Sequence, residues 1–124
     1  MSRRTALRAD AQLADARRAV HLLLDTFERE GVHASVEAVR ELAAIADTPA
    51  DGEAAARERL AAVRERYDLL RSHRDGLDDV YFPRADHGEQ VRVNRELDAV
   101  RAAILAATEP VATSKRDRRR ARRG

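Results

Sequence analysis

The densest cluster of chemically active side chains lies in residues 115–124. Seven basic residues stand there against the acid Asp117, a net charge of +6, whereas residues 1–114 carry a net charge of −4. The basic residues are Lys115, Arg116, Arg118, Arg119, Arg120, Arg122 and Arg123. Closely spaced cations release counterions from a phosphate backbone, so this segment predicts contact with nucleic acid or another polyanion. Since it has no aromatic residue to stack on bases, the predicted binding ignores nucleotide sequence.

A catalytic hypothesis rests on Arg66 and His73. Their spacing resembles the Arg-x(4-6)-His motif of HEPN ribonucleases, which are also small and all-helical. In that family the arginine and the histidine lie at a helix end and, paired across a dimer, cleave RNA without a metal ion. The resemblance covers residues 66–73 alone, and it implies a metal-independent ribonuclease as a third functional hypothesis.

Other kinds of reactive site have little support in the sequence. The chain has no cysteine, which excludes disulfides, thiolate metal ligands and cysteine nucleophiles. Glu30 and His33 have the Glu-x-x-His spacing of carboxylate di-iron bundles, but Gly31 interrupts the helix between them and no second copy exists. Neither a glycine-rich phosphate loop nor a serine elbow is present. We therefore expect no catalytic residue, metal, cofactor or small-molecule substrate.

Two of the four aromatic residues, Tyr81 and Phe82, are adjacent in the sequence. They fall in a connector over residues 75–86, in which a single helical turn over residues 77–81 is expected. Two interpretations stay open. The pair either plugs the end of a helical bundle or forms an exposed anchor for a protein partner, since aromatic residues are favoured at binding hot spots.

The composition predicts an all-α protein. It combines 25 alanines and 12 leucines with 37% charged residues, as long helices and coiled coils do. With so much alanine, the core must be thin and the helices closely spaced. We expect residues 1–110 to form an antiparallel bundle of about four helices, and residues 111–124 to be a disordered arginine-rich tail. A core shared between two chains is the alternative.

Apolar residues recur at alternating steps of three and four, as one face of a helix requires. The first such segment covers residues 5–30 and stops at Gly31, with Leu22 and Leu24 widening its apolar face. The second is shorter, and Ser35 is its predicted cap.

The third segment, residues 48–77, is predicted to be the helix around which the others are organised. Thr48 fits an N-cap, Pro49 the first helical position, and Asp51 the acid three residues after the cap. Its apolar line consists of Ala56, Leu60, Val63, Tyr67 and Leu70.

The fourth segment begins at residues 86–89, which have the spacing of a capping box, and ends at Pro110. Its apolar line consists of Val93, Leu97, Val100, Ile104 and Ala107. We expect this line to face that of the third helix in an antiparallel pair.

The leading functional expectation is a non-enzymatic helical assembly protein whose tail contacts nucleic acid. The alternative is an adaptor or scaffold that binds protein partners only, with the tail docked on an acidic protein. Charges interrupt every long apolar run, so we expect neither a signal peptide nor a membrane span, and a cytoplasmic location.

Overall fold

The computed structural model describes residues 3–31, 33–72 and 82–109. These residues form four helices, α1 (Arg3–Glu30), α2 (His33–Asp47), α3 (Gly52–Ser72) and α4 (His87–Thr108), and none of them forms a strand. The helices pack against one another, so the predicted all-α bundle is confirmed. The predicted tail lies outside the described residues.

Side-chain contacts fix the direction of α2 against α1. Arg17 of α1 donates to the carbonyl oxygen of Ala46 at 2.6 Å, near the end of α2. Further along α1, Glu28 pairs at 3.4 Å with Arg40, nearer the start of α2. The two helices are therefore antiparallel, and the shorter α2 covers only the second half of α1.

Similar contacts fix the directions of α3 and α4. Gln12 of α1 donates to the carbonyl oxygen of Glu109, just past α4, at 2.9 Å, and Glu30 at the other end of α1 pairs with Arg84, just before α4. The early residues of α3 pack with the first half of α1, so these two helices are parallel. The bundle runs up, down, up and down.

The central helix is α1, which packs against all three others, whereas α3 and α4 contact each other only sparsely. The expectation that the third helix organises the bundle is therefore wrong, and its pairing with the fourth is antiparallel but minor. The reason is the breadth of the apolar face of α1. Ala16, Ala19, Val20 and Leu23 are all buried, so this helix has apolar surface for several neighbours at once.

The buried residues form two clusters at different heights. The upper core takes residues from all four helices and from the segment before α4; its bulkiest members are Phe27, Leu23, Tyr67, Leu42, Leu97 and Ile104. The lower core lies where α1, α3 and the end of α4 meet and consists of Ala9, Leu13, Ala16, Ala56, Leu60 and Ala107. The predicted apolar lines of α3 and α4 are confirmed, with Leu70 and Val100 half-buried.

The boundary between α2 and α3 differs from the prediction. Helix α2 includes Ser35, so this residue is not its cap. Thr48 donates from its hydroxyl to the carbonyl oxygen of Ala44 at 2.9 Å, and therefore closes α2 instead of opening α3. Helix α3 begins at Gly52, whose φ of 89° favours glycine. Residues 48–51 are needed to reach the lower end, where α3 starts.

Two other helix ends agree with the sequence. Gly31 follows α1 with a φ of 70°, as a glycine that ends a helix does. Asp86 is the N-cap of α4, and its carboxylate accepts from the amide of Glu89 at 3.2 Å. In the described ranges, no helix is long and apolar enough to cross a membrane.

Candidate functional site

The seven basic residues predicted to bind a polyanion, within residues 115–124, lie outside the described residues. The structure does show where the described chain ends: α4 finishes at Thr108, at the lower end of the bundle. Gln12 and Arg64 hold this end through the carbonyl oxygens of Glu109 and Leu105, at 2.9 and 3.2 Å. The end of the described chain is therefore anchored to α1 and α3.

Most arginines of the described bundle are paired with its own acids. The pairs are Arg18 with Asp15, Arg40 with Glu37, Arg57 with Glu53, Arg64 and Arg71 with Asp68, Arg66 with Glu41, Arg84 with Glu30, Arg92 with Glu96, and Arg101 with Asp98. Pairs on a water-exposed surface contribute little stability. The pairs do reduce the attraction of the bundle for phosphate, because a paired guanidinium attracts a phosphate less than a free one.

Another arginine has a structural task. Arg17 donates from Nε to the carbonyl oxygen of Ala46 at 2.6 Å and from a terminal nitrogen to that of Thr48 at 3.0 Å. These carbonyls lie at the end of α2, where no further helical turn supplies a donor. The carboxylate of Asp47, beside them, accepts from the His21 ring at 2.8 Å. Arg17 and His21 therefore hold α2 on α1.

Hydrogen bonding to a carboxylate raises the pKa of two guanidinium groups, those of Arg40 and Arg84. The bond from Arg40 to Glu37 raises the pKa of Arg40, and the bond from Arg84 to Glu30 raises the pKa of Arg84. Both groups keep their charge at every ordinary pH, and both charges stay partnered.

Phe82 is buried at the upper end of the bundle, 3% exposed, with its ring edge-on to that of Phe27 at 6.1 Å. Asn94 fixes the backbone there, since its side-chain oxygen accepts from the Phe82 amide and its nitrogen donates to the Phe82 carbonyl, both at 2.8 Å. Phe82 is thus a plug of the upper core and not the exposed anchor for a partner. Tyr81, the other residue predicted to bind a partner, lies outside the described residues.

The structure describes one residue of the possible catalytic pair, Arg66. Arg66 is partly exposed on α3, with a terminal nitrogen 3.8 Å from a carboxylate oxygen of Glu41 on α2. His73 lies outside the described residues, so the ribonuclease hypothesis stays a prediction. Across the described part of the chain, no three His, Cys, Asp or Glu side chains group as metal ligands would. Glu30 is engaged by Arg84 instead.

Open clefts lie beside α4. One, of about 360 Å³, lies at the upper end and is lined by charged residues that include Arg29, Arg84 and Glu89. Another, of about 450 Å³, is a shallow groove between α1 and α4. Leu22 on its rim is 55% exposed, which corrects the expectation that Leu22 widens the buried face of α1. Leu24 is half-buried against the upper core, as expected.

The α4 side of this groove is lined by Ala103, Ala106 and Ala107. The prediction for α4 covered its inner apolar line, which includes the buried Ala107, and missed the exposed Ala103 and Ala106. The signal that reveals them is a second repeat of small residues at helical spacing on the side opposite the core.

The chain matches no known family model, no curated protein and no solved structure at a significant level.

Proposed function

We propose that this protein is a non-enzymatic helical assembly protein that contacts nucleic acid through residues 115–124, without preference for nucleotide sequence. The observation that supports the proposal is the separation of charge. The arginines of the bundle are mostly engaged by its own acids and helix ends. The seven basic residues of the tail are the largest unbalanced charge in the sequence.

Electrostatics also argues against binding by the bundle itself. Residues 1–114 carry a net charge of −4, so at long range they repel a phosphate backbone. The attraction has to come from the tail, in which arginines suit phosphate recognition because their planar groups donate two parallel hydrogen bonds. Recognition by charge alone involves no contact with base edges, so no sequence preference is expected.

The test is a titration of fluorescently labelled duplex DNA and single-stranded RNA, followed by anisotropy at low salt. In the variant, the seven basic residues of the full-length chain are replaced by glutamine. We expect the parent to bind both nucleic acids and the variant to lose binding, with helix content unchanged in circular dichroism.

The matched control replaces two body arginines, Arg8 and Arg29, by glutamine. Both are exposed, and neither makes an ion pair within the described residues. We expect this control to bind within about twofold of the parent. Equal affinity of the seven-glutamine variant and the parent would contradict the proposal and favour the adaptor that binds protein only.

The ribonuclease hypothesis is tested separately. If the purified protein cleaves RNA and His73→Ala abolishes the cleavage, the protein is an enzyme and the proposal of a non-enzymatic function fails. We expect no such cleavage, because Arg66, the partner that the motif requires, is directed to Glu41 on α2.

A further inference from the structure

Helix α4 carries a second seam on its outer side. Its inner seam, made by Val93, Leu97, Ile104 and Ala107, is buried in the bundle. On the opposite side Arg95, Ala99, Ala102 and Ala106 are exposed, and the exposed C-cap residue Glu109 continues the line; these residues recur at steps of four, three, four and three. This spacing is the one with which helices pair along a coiled-coil seam. In the part of the chain that the structure describes, the inner seam faces the core and the outer seam does not.

The two ends of the outer seam have opposite charge. Arg95 lies toward the upper end and Glu109 toward the lower end, and neither side chain makes an ion pair within the described residues. They are separated by 14 residues, or about 21 Å along a helix. Between them the seam consists of alanines, so nothing bulky keeps another helix away.

We infer that the outer face of α4 binds a second copy of this chain, with the two α4 helices antiparallel about a two-fold axis near Ala102. In this arrangement the Arg95 end of each helix lies beside the Glu109 end of the other, and the symmetry makes the contact twice. A parallel arrangement would bring like charges together at both ends. The charges therefore select a second α4 as the occupant and select its direction.

The neighbouring groove extends the contact. With alanine at the seam, two helix axes can approach to about 8 Å. A second helix at this distance also covers the rim of the groove between α1 and α4, where Leu22 is 55% exposed and Ala103 and Ala106 form the opposite wall.

The area of the outer face of α4 determines how strong a dimer we expect. A strip about 21 Å long and about two helix widths across covers roughly 400 Å², against about 800 Å² for each partner in a stable interface. We therefore expect a weak dimer that forms at high protein concentration and is sensitive to salt.

The experiment is sedimentation equilibrium of the full-length, nuclease-treated protein, from about 10 µM to about 1 mM. The weight-average mass should rise from the monomer mass of 13.9 kDa toward twice that value. Arg95→Glu and Glu109→Arg should each weaken association about tenfold, because each places like charges together at both ends of the seam. The double variant Arg95→Glu with Glu109→Arg should restore it.

A matched pair of alanine substitutions tests the seam itself. Ala102→Glu should abolish the dimer, whereas Ala44→Glu, at an exposed position on α2, should leave it unchanged. Circular dichroism checks that every variant keeps its helices. The inference is overturned if the parent stays monomeric at every concentration, if Ala102→Glu dimerises like the parent, or if the double charge exchange fails to restore association.

Discussion

The upper and lower halves of the bundle are built differently. In the upper half four helices enclose leucine, isoleucine and aromatic side chains, and Phe82 closes the end. In the lower half three helices meet over a cluster in which four of the six buried residues are alanine. Since hydrophobic stabilisation scales with buried apolar area, most of it must come from the upper half.

Polar contacts between helices also hold the lower half together. Gln12 and Arg64 reach the carbonyl oxygens at the end of α4, and Arg64 also donates to the hydroxyl of Thr108 at 3.4 Å. Alanine lets the helices approach closely, but it buries little area. Close helix spacing and a large hydrophobic contribution are therefore separate properties, and we expect them at opposite ends of this bundle.

The largest effect is expected in the upper core. Phe27 is fully buried and contacts the ring of Phe82, so Phe27→Ala should lower the free energy of unfolding by about 3–5 kcal/mol. Urea denaturation followed by circular dichroism measures it. Leu22→Ala, at an exposed position on the same helix, should change stability by about 0.5 kcal/mol or less. Similar losses of stability for the two variants would contradict the large contribution expected from the buried side chains of the upper core.

The same leucine-to-alanine substitution should cost more in the upper half than in the lower half. Leu23 in the upper core and Leu13 in the lower core are both buried, 0% and 2% exposed. Leu23→Ala should cost about 4 kcal/mol, because its bulky neighbours hold the cavity open. Leu13→Ala should cost about 2–3 kcal/mol, because three alanine-lined helices can close over the gap. Equal losses in parallel urea titrations would show that the lower core is as rigid as the upper one.

Close packing in the lower core is tested by adding volume. Ala16 is fully buried there, and Ala16→Leu should lower the free energy of unfolding by about 1–3 kcal/mol by forcing the helices apart. Ala11→Leu places the same side chain on the exposed side of α1 and should be neutral within about 0.5 kcal/mol. If thermal unfolding shows Ala16→Leu to be as stable as Ala11→Leu, the lower helices are not closely spaced.

Two side-chain amides that bond to the backbone test the polar contacts at the two ends of the bundle. Asn94 makes paired hydrogen bonds to the backbone of buried Phe82, so Asn94→Ala should cost about 1–3 kcal/mol by leaving polar groups unsatisfied. Gln12 donates to the carbonyl of Glu109 near water, and Gln12→Ala should cost about 0.5–1 kcal/mol. Chemical denaturation of both variants measures the two losses. A larger loss of stability for Gln12→Ala than for Asn94→Ala would contradict this prediction.

Local signals made much of the fold predictable from sequence. Periodic apolar residues gave four helices, Gly31 marked the end of α1, and Asp86 marked the start of α4. Each of these depends on residues within one or two turns of each other. Thr48 failed as a start signal because a threonine can serve either helix beside it, and the choice depended on where α3 had to begin.

Properties that depend on several elements at once could not be predicted. The central position of α1 follows from which apolar faces meet, and the inner line of each helix taken alone does not reveal it. The burial of Phe82 depends on Asn94, twelve residues later, and on Phe27. The opposed charges at the ends of the outer seam of α4 are visible in the sequence, but their exposure is not.

We propose that the bundle pairs its own charges and that affinity for nucleic acid resides in residues 115–124. The salt dependence of binding to duplex DNA by the full-length protein tests this proposal. If the tail engages about five phosphates, the logarithm of the association constant should fall with the logarithm of salt concentration with a slope of roughly −4 to −5. A slope near zero, or the same slope after the seven basic residues are replaced by glutamine, would contradict the claim.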